Sequence, residues 1–194
     1  MSNCEKITII TPCSRPRNIF KIYNTLNFGY IYQWIIVYDT KKVNIVKPLF
    51  RNINNKISEY FHSDVNSRWG NSQRNYGLDK IKNKNSYIYF LDDDNIIHPD
   101  FYVFLDKISL NDEKIFTWNQ DNNGRISKGD RLYVGGLDTA IFLIHYKYCK
   151  GNQWNSNINS TDAADALFFL DCYKNNEDKH NYINKTLCYY NKVR

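Results

Sequence analysis

Three consecutive aspartates, Asp92, Asp93 and Asp94, follow directly after an apolar run at residues 87–91. No charged residue interrupts that run, which predicts a buried strand of an α/β sheet. Adjacent carboxylates repel and raise one another's pKa, and a divalent cation removes this cost and can in turn hold a diphosphate. Ligands of open α/β sheets bind at the carboxyl ends of the strands, so we predict a cation and diphosphate site there. A solvated acidic turn is the alternative.

The composition is that of an ordinary globular protein. The chain has 194 residues, of which 42% are hydrophobic and 24% are charged, which is enough for one buried core and short for two. No apolar run is long enough for a membrane span, and the first residues have no signal-peptide core. The cysteines show no CxxC spacing, which favours reduced thiols and a cytoplasmic location. They are Cys4, Cys13, Cys149, Cys172 and Cys188.

The net charge of +6 makes a nucleic-acid-binding module an alternative function. The lysines are spread along the chain and form no dense block, which favours a solvated surface instead. The sequence has no RRM, KH or OB signature, and three adjacent aspartates repel phosphate unless a metal is bound. We therefore expect no specific nucleic-acid partner.

Apolar periodicity predicts alternating strands and helices in the first hundred residues. A strand at 7–11 is expected to end at Pro12, which has no amide hydrogen to continue a ladder. Helices are expected at 17–26 and at 72–82, the second with Ser72 as a candidate N-cap. The other strands are expected at 34–38, directly before Asp39, at 57–61 and at 87–91.

The second half of the chain yields further elements but no domain boundary. The sequence predicts strands at 114–118 and 140–144, a turn at Asn123-Gly124 and a helix at 162–173. Strands that alternate with helices imply a parallel sheet with right-handed crossovers. Since no repeat or linker divides the chain, we predict one α/β domain.

This domain is expected to span residues 1–194, with two functional halves. Residues 1–100 would form the nucleotide-binding half. Residues 101–194 would complete the site as the acceptor and catalytic half.

A series of motifs, in the right order, resembles GT-A glycosyltransferases. One pattern is that of family-2 enzymes, with an arginine-asparagine-x-glycine helix and a DxD strand end. The other is that of β-1,3-glucuronyltransferases, with threonine-proline, glutamine-arginine-asparagine, and three aspartates before an asparagine. Two later segments look like small family-2-like transferases of bacteria and large viruses. The matching residues are Thr11 with Pro12, Asp39, QRNYGL at 73–78, FLDDD at 90–94, GLDT at 136–139 and ADALFF at 164–169.

The resemblance implies a GT-A (Rossmann-like) fold, a mixed and mainly parallel sheet flanked by helices. It implies metal-dependent transfer of a sugar from a nucleotide-diphosphate donor, a UDP-sugar, to an acceptor hydroxyl, with inversion and an aspartate general base. The implied cofactor is Mn²⁺ or Mg²⁺, since carboxylates suit hard cations. The implied acceptor is a glycan, a lipid-linked molecule or a protein, in the cytoplasm of a bacterium or a virus-infected host cell.

The resemblance also assigns donor-side roles. Asp94 and Asp92 would contact the metal, and Asp92 and Asp93 would contact ribose, sugar hydroxyls or metal-bound water. Asp39 would accept the N–H of uracil, although aspartate at this position is also typical of a plain turn. The other nucleotide-side candidates are Thr11, Arg15 and Arg74.

For the transfer step, the resemblance points to Asp165 as the general base. Asp162 is the reserve candidate, with helix capping as its alternative role. Asp138 would face the donor sugar or the acceptor, or serve in a turn. Arg68 and Trp69 would form a loop over the donor.

Two other enzyme classes use acidic clusters of this kind. A sugar nucleotidyltransferase normally has a glycine-rich phosphate loop after its first strand, and residues 12–16, PCSRP, contain no glycine. A metal-dependent phosphodiesterase with two metals needs further acidic ligands close by, and the sequence does not pair them obviously. The four histidines have no ligand spacing, so we expect no zinc site.

Overall fold

The computed structural model describes residues 6–44, 47–50, 52–64, 69–155 and 161–193. Within them the strands are β1 Ile7–Cys13, β2 Ile31–Tyr38, β3 Ile57–Phe61, β4 Tyr87–Phe90, β5 Ile96–Ile97, β6 Ile115–Asn122, β7 Arg125–Ser127, β8 Phe142–His145 and β9 His180–Tyr189. The α-helices are α1 Pro16–Tyr23, α2 Asn71–Asp79, α3 Asp100–Asp106, α4 Tyr146–Cys149 and α5 Thr161–Tyr173. Three short 3₁₀ helices lie at Leu110–Asp112, Thr139–Ile141 and Glu177–Lys179.

The strands form one mixed sheet in the order β3-β2-β1-β4-β8-β6-β9-β5, with β7 paired to β6. The first four strands in this order are parallel. Strand β8 is antiparallel to both β4 and β6, and β9 is parallel to β6. The N-terminal half is therefore the predicted parallel α/β unit, and β8 joins it to the second half. The carboxyl ends of β1, β2 and β4 lie side by side.

An aromatic cluster supports the strand that carries the aspartates. The ring of Phe90 on β4 lies 5.0 Å from that of Trp154 and 5.3 Å from that of Phe168 on α5. Trp154 and Phe168 stack in parallel, with ring centroids 4.5 Å apart. All three residues are buried, so the hydrophobic effect fixes α5 and the segment before it against the end of β4.

Helix α2 packs unusually close to β1 at Gly77. A Cβ atom added to this glycine would lie 2.6 Å from Cγ2 of Ile10. The missing side chain lets the helix approach the sheet, which brings Arg74, one turn earlier, to the end of β4. The prediction that Ser72 is the N-cap of this helix is wrong. Gly70 caps the helix with a φ of 81°, and Ser72 is buried in the first turn.

Pro12 does not end β1, contrary to the prediction. It pairs with Val37 in the parallel ladder, and the strand continues to residue 13. The carbonyl of Ile10 accepts a hydrogen bond from Leu91, on the β4 side. Backbone direction alternates along a strand, so the nitrogen of Pro12 also faces β4, where pairing has already stopped at Ile10 and Phe90. The missing N–H therefore costs no ladder bond.

The predicted strand at 140–144 is partly wrong. Its first residues belong to the 3₁₀ helix Thr139–Ile141, and β8 begins at Phe142. The cause is Asp138, whose carboxylate accepts the backbone N–H of Ala140 at 3.0 Å and caps the turn. Helix α3 and strands β5 and β9 were absent from the predictions, whereas β3 and the turn at Asn123-Gly124 lie where they were predicted.

We expect Gly77→Ala to destabilise the protein by about 1–3 kcal/mol, because the new methyl group overpacks the contact with Ile10. Alanine is the better helix former, so helix propensity alone predicts the opposite sign. Urea unfolding measures the difference, with Asp79→Ala at an exposed position of the same helix as the control. An equal gain in stability for both variants would contradict the close packing.

Candidate active site

A cleft of about 400 Å³ opens at the carboxyl ends of β1, β2 and β4. It brings together most of the residues predicted for the site. Those that line it are Arg15, Asp39, Arg74, Asp92, Asp93, Asp94, Asp138 and Asp165. The other described lining residues are Pro12, Cys13, Ser14, Lys42, Trp69, Gly70, Gln73, Tyr190 and Asn191.

Thr11, Asp162 and Arg68 do not join the described cleft. Thr11 is fully buried, and its hydroxyl accepts the indole N–H of Trp34 at 2.9 Å, within the sheet. Asp162 belongs to helix α5, but its side chain lies outside the described residues, as does Arg68 as a whole.

Asp93 fastens the loop between β1 and α1. One carboxylate oxygen accepts the backbone N–H groups of Ser14 and Arg15, at 2.6 and 2.7 Å, and the Ser14 hydroxyl at 3.2 Å. The other oxygen accepts Nε of Arg15 at 2.8 Å and pairs with its Nη2 at 2.5 Å. With its side chain only 3% exposed, Asp93 has its acceptor capacity filled by the protein itself.

Asp92 is oriented by two donors from different elements. One oxygen pairs with Nη2 of Arg74 on α2 at 2.5 Å, and the other accepts the hydroxyl of Thr139 at 2.9 Å. A quarter of its side chain is exposed to the cleft. Asp92 therefore presents a fixed carboxylate to a ligand, held between the two halves of the chain.

Arg74 is a buried cation that links several parts of the site. Its Nη1 donates to the carbonyl of Trp69 at 2.8 Å and to the side chain of Asn71 at 3.1 Å. Its guanidinium carbon lies 4.7 Å from the ring centre of Trp154, a cation–π contact. Burial lowers its pKa, but attraction to Asp92, Asp165 and Asp138 outweighs burial and leaves the pKa raised. Arg74 thus stays charged.

Asp94 lies where the end of the described chain crosses the cleft. Its carboxylate pairs with Nη2 of Arg15 at 2.8 Å. The backbone N–H of Val193 donates to the Asp94 carbonyl at 3.2 Å, and that of Asn191 donates to the Asn95 side chain at 2.9 Å. Residues 190–193 therefore form a wall beside the third aspartate.

Asp138 and Asp165 bring two more carboxylates towards Asp92. Burial and the charge of Asp92 raise the pKa of Asp138 to about 6, although Ala140 and Gln120 donate hydrogen bonds to it. Burial raises the pKa of Asp165 well above its ordinary value. Arg74 opposes this rise, and Asp138 and Asp92 add to it. Two strengthened bases thus lie at this end of the cleft.

Asp39 lies at the opposite end, just after β2. Its Oδ1 accepts the hydroxyl of Ser63 at 2.6 Å and the backbone N–H of Lys41 at 3.1 Å. Among the described residues, its Oδ2 has one partner, the ammonium of Lys42 at 3.8 Å. Since a carboxylate oxygen has two lone pairs, Oδ2 can accept a donor from a ligand.

Three further lining residues have no role predicted from the sequence: Gln73, Tyr190 and Asn191. Gln73 is part of the motif at 73–78, and its amide donates to the carbonyl of His62 at 3.1 Å. Tyr190 and Asn191 reach the cleft through β9, whose pairing with β6 joins residues far apart along the chain. No local pattern marks them, because their place in the cleft depends on this long-range pairing.

A divalent cation fits the charge of this cleft. Six described lining carboxylates face three cationic side chains, Arg15, Lys42 and Arg74, so a diphosphate would meet net repulsion without a cation. No group of three His, Cys, Asp or Glu side chains in the described residues forms a ready metal cage. Asp92 and Asp94 fit a hard cation that takes its remaining ligands from diphosphate and water.

No protein-family model and no curated protein matches the chain. Solved structures do match it. The crystal structure of S. aureus TarS 1-349 is similar with a TM-score of 0.70 and 15% identity, over 95% of this chain and 60% of that one. The structure of S. aureus TarS 1-349 in complex with UDP-GlcNAc has a TM-score of 0.68 and 15% identity, over 95% of this chain and 58% of that one. The 4-diphosphocytidyl-2C-methyl-D-erythritol synthase of Anaerococcus prevotii DSM 20548 has a TM-score of 0.57 and 13% identity, over 93% of this chain and 87% of that one.

These similarities confirm the predicted fold class, a mixed α/β domain with a mainly parallel sheet flanked by helices. At this level of identity they concern the fold alone, and the chain spans about 60% of the length of TarS 1-349. No helix in the described part of the chain has the length and hydrophobicity to cross a membrane.

The raised pKa of Asp138 predicts a pH-dependent loss of stability. The folded state holds this proton more tightly than the unfolded chain, so stability falls as pH rises from about 4 through 6. Asp138→Asn removes this titration, and its amide oxygen can still accept from Ala140. We expect the variant to gain about 1–3 kcal/mol over the natural protein between pH 4.5 and 7.5.

Urea unfolding in EDTA at several pH values measures this gain. Asp171→Asn, at an exposed position of α5, is the control for losing one carboxylate. If the difference between Asp138→Asn and the natural protein is the same at pH 4.5 and 7.5, Asp138 has no raised pKa.

Proposed function

We propose that this chain is a metal-dependent glycosyltransferase that moves a sugar from a UDP-sugar to an acceptor hydroxyl, with inversion. The observation that carries the proposal is the cleft itself. It combines an available carboxylate at the end of β2, an acidic cluster at the end of β4 and two carboxylates with raised pKa, Asp138 and Asp165. These are the groups that base recognition, diphosphate binding and proton removal require.

In this proposal Asp94 and Asp92 would hold Mn²⁺ or Mg²⁺. When bound, the cation supplies positive charge that stabilises the departing diphosphate. Arg74 and Thr139 keep Asp92 oriented, and Arg15 does the same for Asp94. Asp93, whose oxygens are filled by the β1–α1 loop, holds that loop in place instead of contacting the sugar.

Asp39 would recognise the nucleoside. Its Oδ2 can accept the ring N–H of uracil, which a purine does not present in the same place. The same fold in TarS 1-349 is found in complex with UDP-GlcNAc, which supports a UDP-sugar as the donor class.

Asp165 would be the general base. The acceptor oxygen attacks the anomeric carbon, the bond from that carbon to the diphosphate oxygen breaks, and UDP leaves with the electron pair. The hydroxyl proton passes to the carboxylate of Asp165. When ionised, a carboxylate with a raised pKa is a stronger base than an ordinary aspartate, since basicity rises with pKa. Asp138, beside it, would orient the donor sugar or the acceptor.

The acceptor is proposed to be a glycan, a lipid-linked molecule or a protein. We also propose a cytoplasmic location, supported by the cysteines at positions 13, 149, 172 and 188, which are free and buried. A sugar nucleotidyltransferase is less well supported, despite the fold it shares with the erythritol synthase. The β1–α1 loop is held closed by Asp93 and has no glycine to cradle a triphosphate.

Asp94→Asn is expected to abolish the gain in UDP affinity that Mn²⁺ provides. Removing one charge from the cation site should weaken UDP binding in Mn²⁺ at least tenfold, or about 1.4 kcal/mol. Titration calorimetry with and without Mn²⁺ measures this, with Asp171→Asn as the control. A variant that still binds UDP more tightly in Mn²⁺ would exclude Asp94 as a ligand.

Asp165→Asn is expected to keep the donor affinity and lose transfer by a factor of about 10²–10⁴, since an amide cannot take the acceptor proton. A thermal-shift screen of UDP-sugars with Mn²⁺ identifies the donor first. Turnover of that donor is then compared between the natural protein and the variant. Normal rates with normal donor binding would show that another group is the base.

A further inference from the structure

Trp69 stands apart from the other tryptophans of this chain. Its side chain is 56% exposed and lines the cleft. Trp34, Trp118 and Trp154 are all buried. An exposed aromatic ring in the lining of a polar cleft offers an apolar face on which a flat ligand can stack.

The backbone at this position is strained and firmly held. Trp69 has a φ of 59°, a left-handed conformation that is rare for a bulky residue, and Gly70 follows with 81°. The carbonyl of Trp69 accepts Nη1 of Arg74 at 2.8 Å. A Cβ at Gly70 would lie 2.8 Å from that of Pro12, so this turn presses against the end of β1. The strain serves to place the indole at the cleft.

The described lining contains two aromatic residues, Trp69 and Tyr190. Burial raises the pKa of Tyr190, and the carboxylates of Asp138, Asp94 and Asp92 raise it further. Tyr190 therefore lies with the acidic cluster, at the proposed transfer end. Trp69 comes instead from the turn before α2, which lies against Pro12 at the end of β1, beside the strand that leads to Asp39.

A nucleobase needs two kinds of contact. Its edge needs a hydrogen-bond partner, which Asp39 can supply. Its flat face needs an aromatic or apolar surface, since stacking on an indole is favourable for any base. Trp69 is the remaining aromatic side chain of the described lining that can provide it.

We propose that Trp69 is the stacking platform for the base of the nucleotide donor. This inference rests on the proposed function, because it requires a nucleotide in the cleft. Arg74 holds the Trp69 backbone through one nitrogen and Asp92 through another. The same guanidinium thus holds the backbone beside the proposed platform and one carboxylate of the proposed cation site.

Fluorescence quenching by acrylamide tests the proposal directly. Because the other three tryptophans are buried, the quenchable emission comes from Trp69. In Mn²⁺, saturating UDP should lower the quenching constant towards that of the Trp69→Phe protein, whose own constant should not respond to UDP. If calorimetry shows that UDP is bound while quenching of the natural protein is unchanged, the platform is disproved and the proposed function survives. Failure of every nucleotide to bind defeats both.

Two further ligands identify what the indole covers. Pyrophosphate with Mn²⁺ has no base and should leave quenching unchanged, and UDP-GlcNAc should protect Trp69 no more than UDP does. Protection by pyrophosphate, or protection only by the sugar nucleotide, would overturn the assignment to the base.

Affinity measurements give an independent readout. Trp69→Ala should weaken UDP binding about tenfold, and Trp69→Tyr should restore most of the loss because its ring can still stack. Tyr133→Ala is the matched control, since Tyr133 is equally exposed at 56% but lies outside the cleft lining. Equal UDP affinities for Trp69→Ala and the natural protein would contradict the proposal.

Discussion

The buried guanidinium of Arg74 is the interaction on which the rest of the site depends. It joins the turn before α2, the end of β4 and the tryptophan at position 154 through one side chain. A buried ion pair contributes little net stability, but loss of one partner leaves an uncompensated charge in the protein interior. The ion pair between Arg74 and Asp92 therefore serves to fix the positions of these parts relative to one another. Gly77 makes this arrangement possible, because it lets α2 lie against β1.

The cleft concentrates negative charge that the protein only partly neutralises. Arg15 and Arg74 compensate the three aspartates after β4, whereas Asp138 and Asp165 respond with raised pKa values. Such a cluster destabilises the folded state, and the proposed cation would reduce this cost. In the proposed function, the protein accepts this loss of stability in order to hold charged groups in fixed positions before a substrate binds.

The sequence predicted well what local patterns determine. Uninterrupted apolar runs gave β2 and β4, and the residues after each of them line the cleft. The direction in which a side chain points was harder to predict from the sequence. Thr11 lies near a strand end, but alternation along β1 turns its hydroxyl to Trp34 within the sheet. Pro12 stayed in its strand because its nitrogen faces a side without a partner. Strand β9 escaped prediction because polar residues interrupt its pattern, and pairing with β6 decides its structure.

The contact of Val193 with the carbonyl of Asp94 spans about half the chain. During synthesis, the acidic strand leaves the ribosome long before residues 189–193 exist. A nascent chain can form the parallel N-terminal unit early, because its four strands, β1 to β4, all lie between Ile7 and Phe90. The wall formed by Tyr190 and Asn191 is added after the rest of the described lining, so the cleft cannot take the shape described above until translation has passed residue 193.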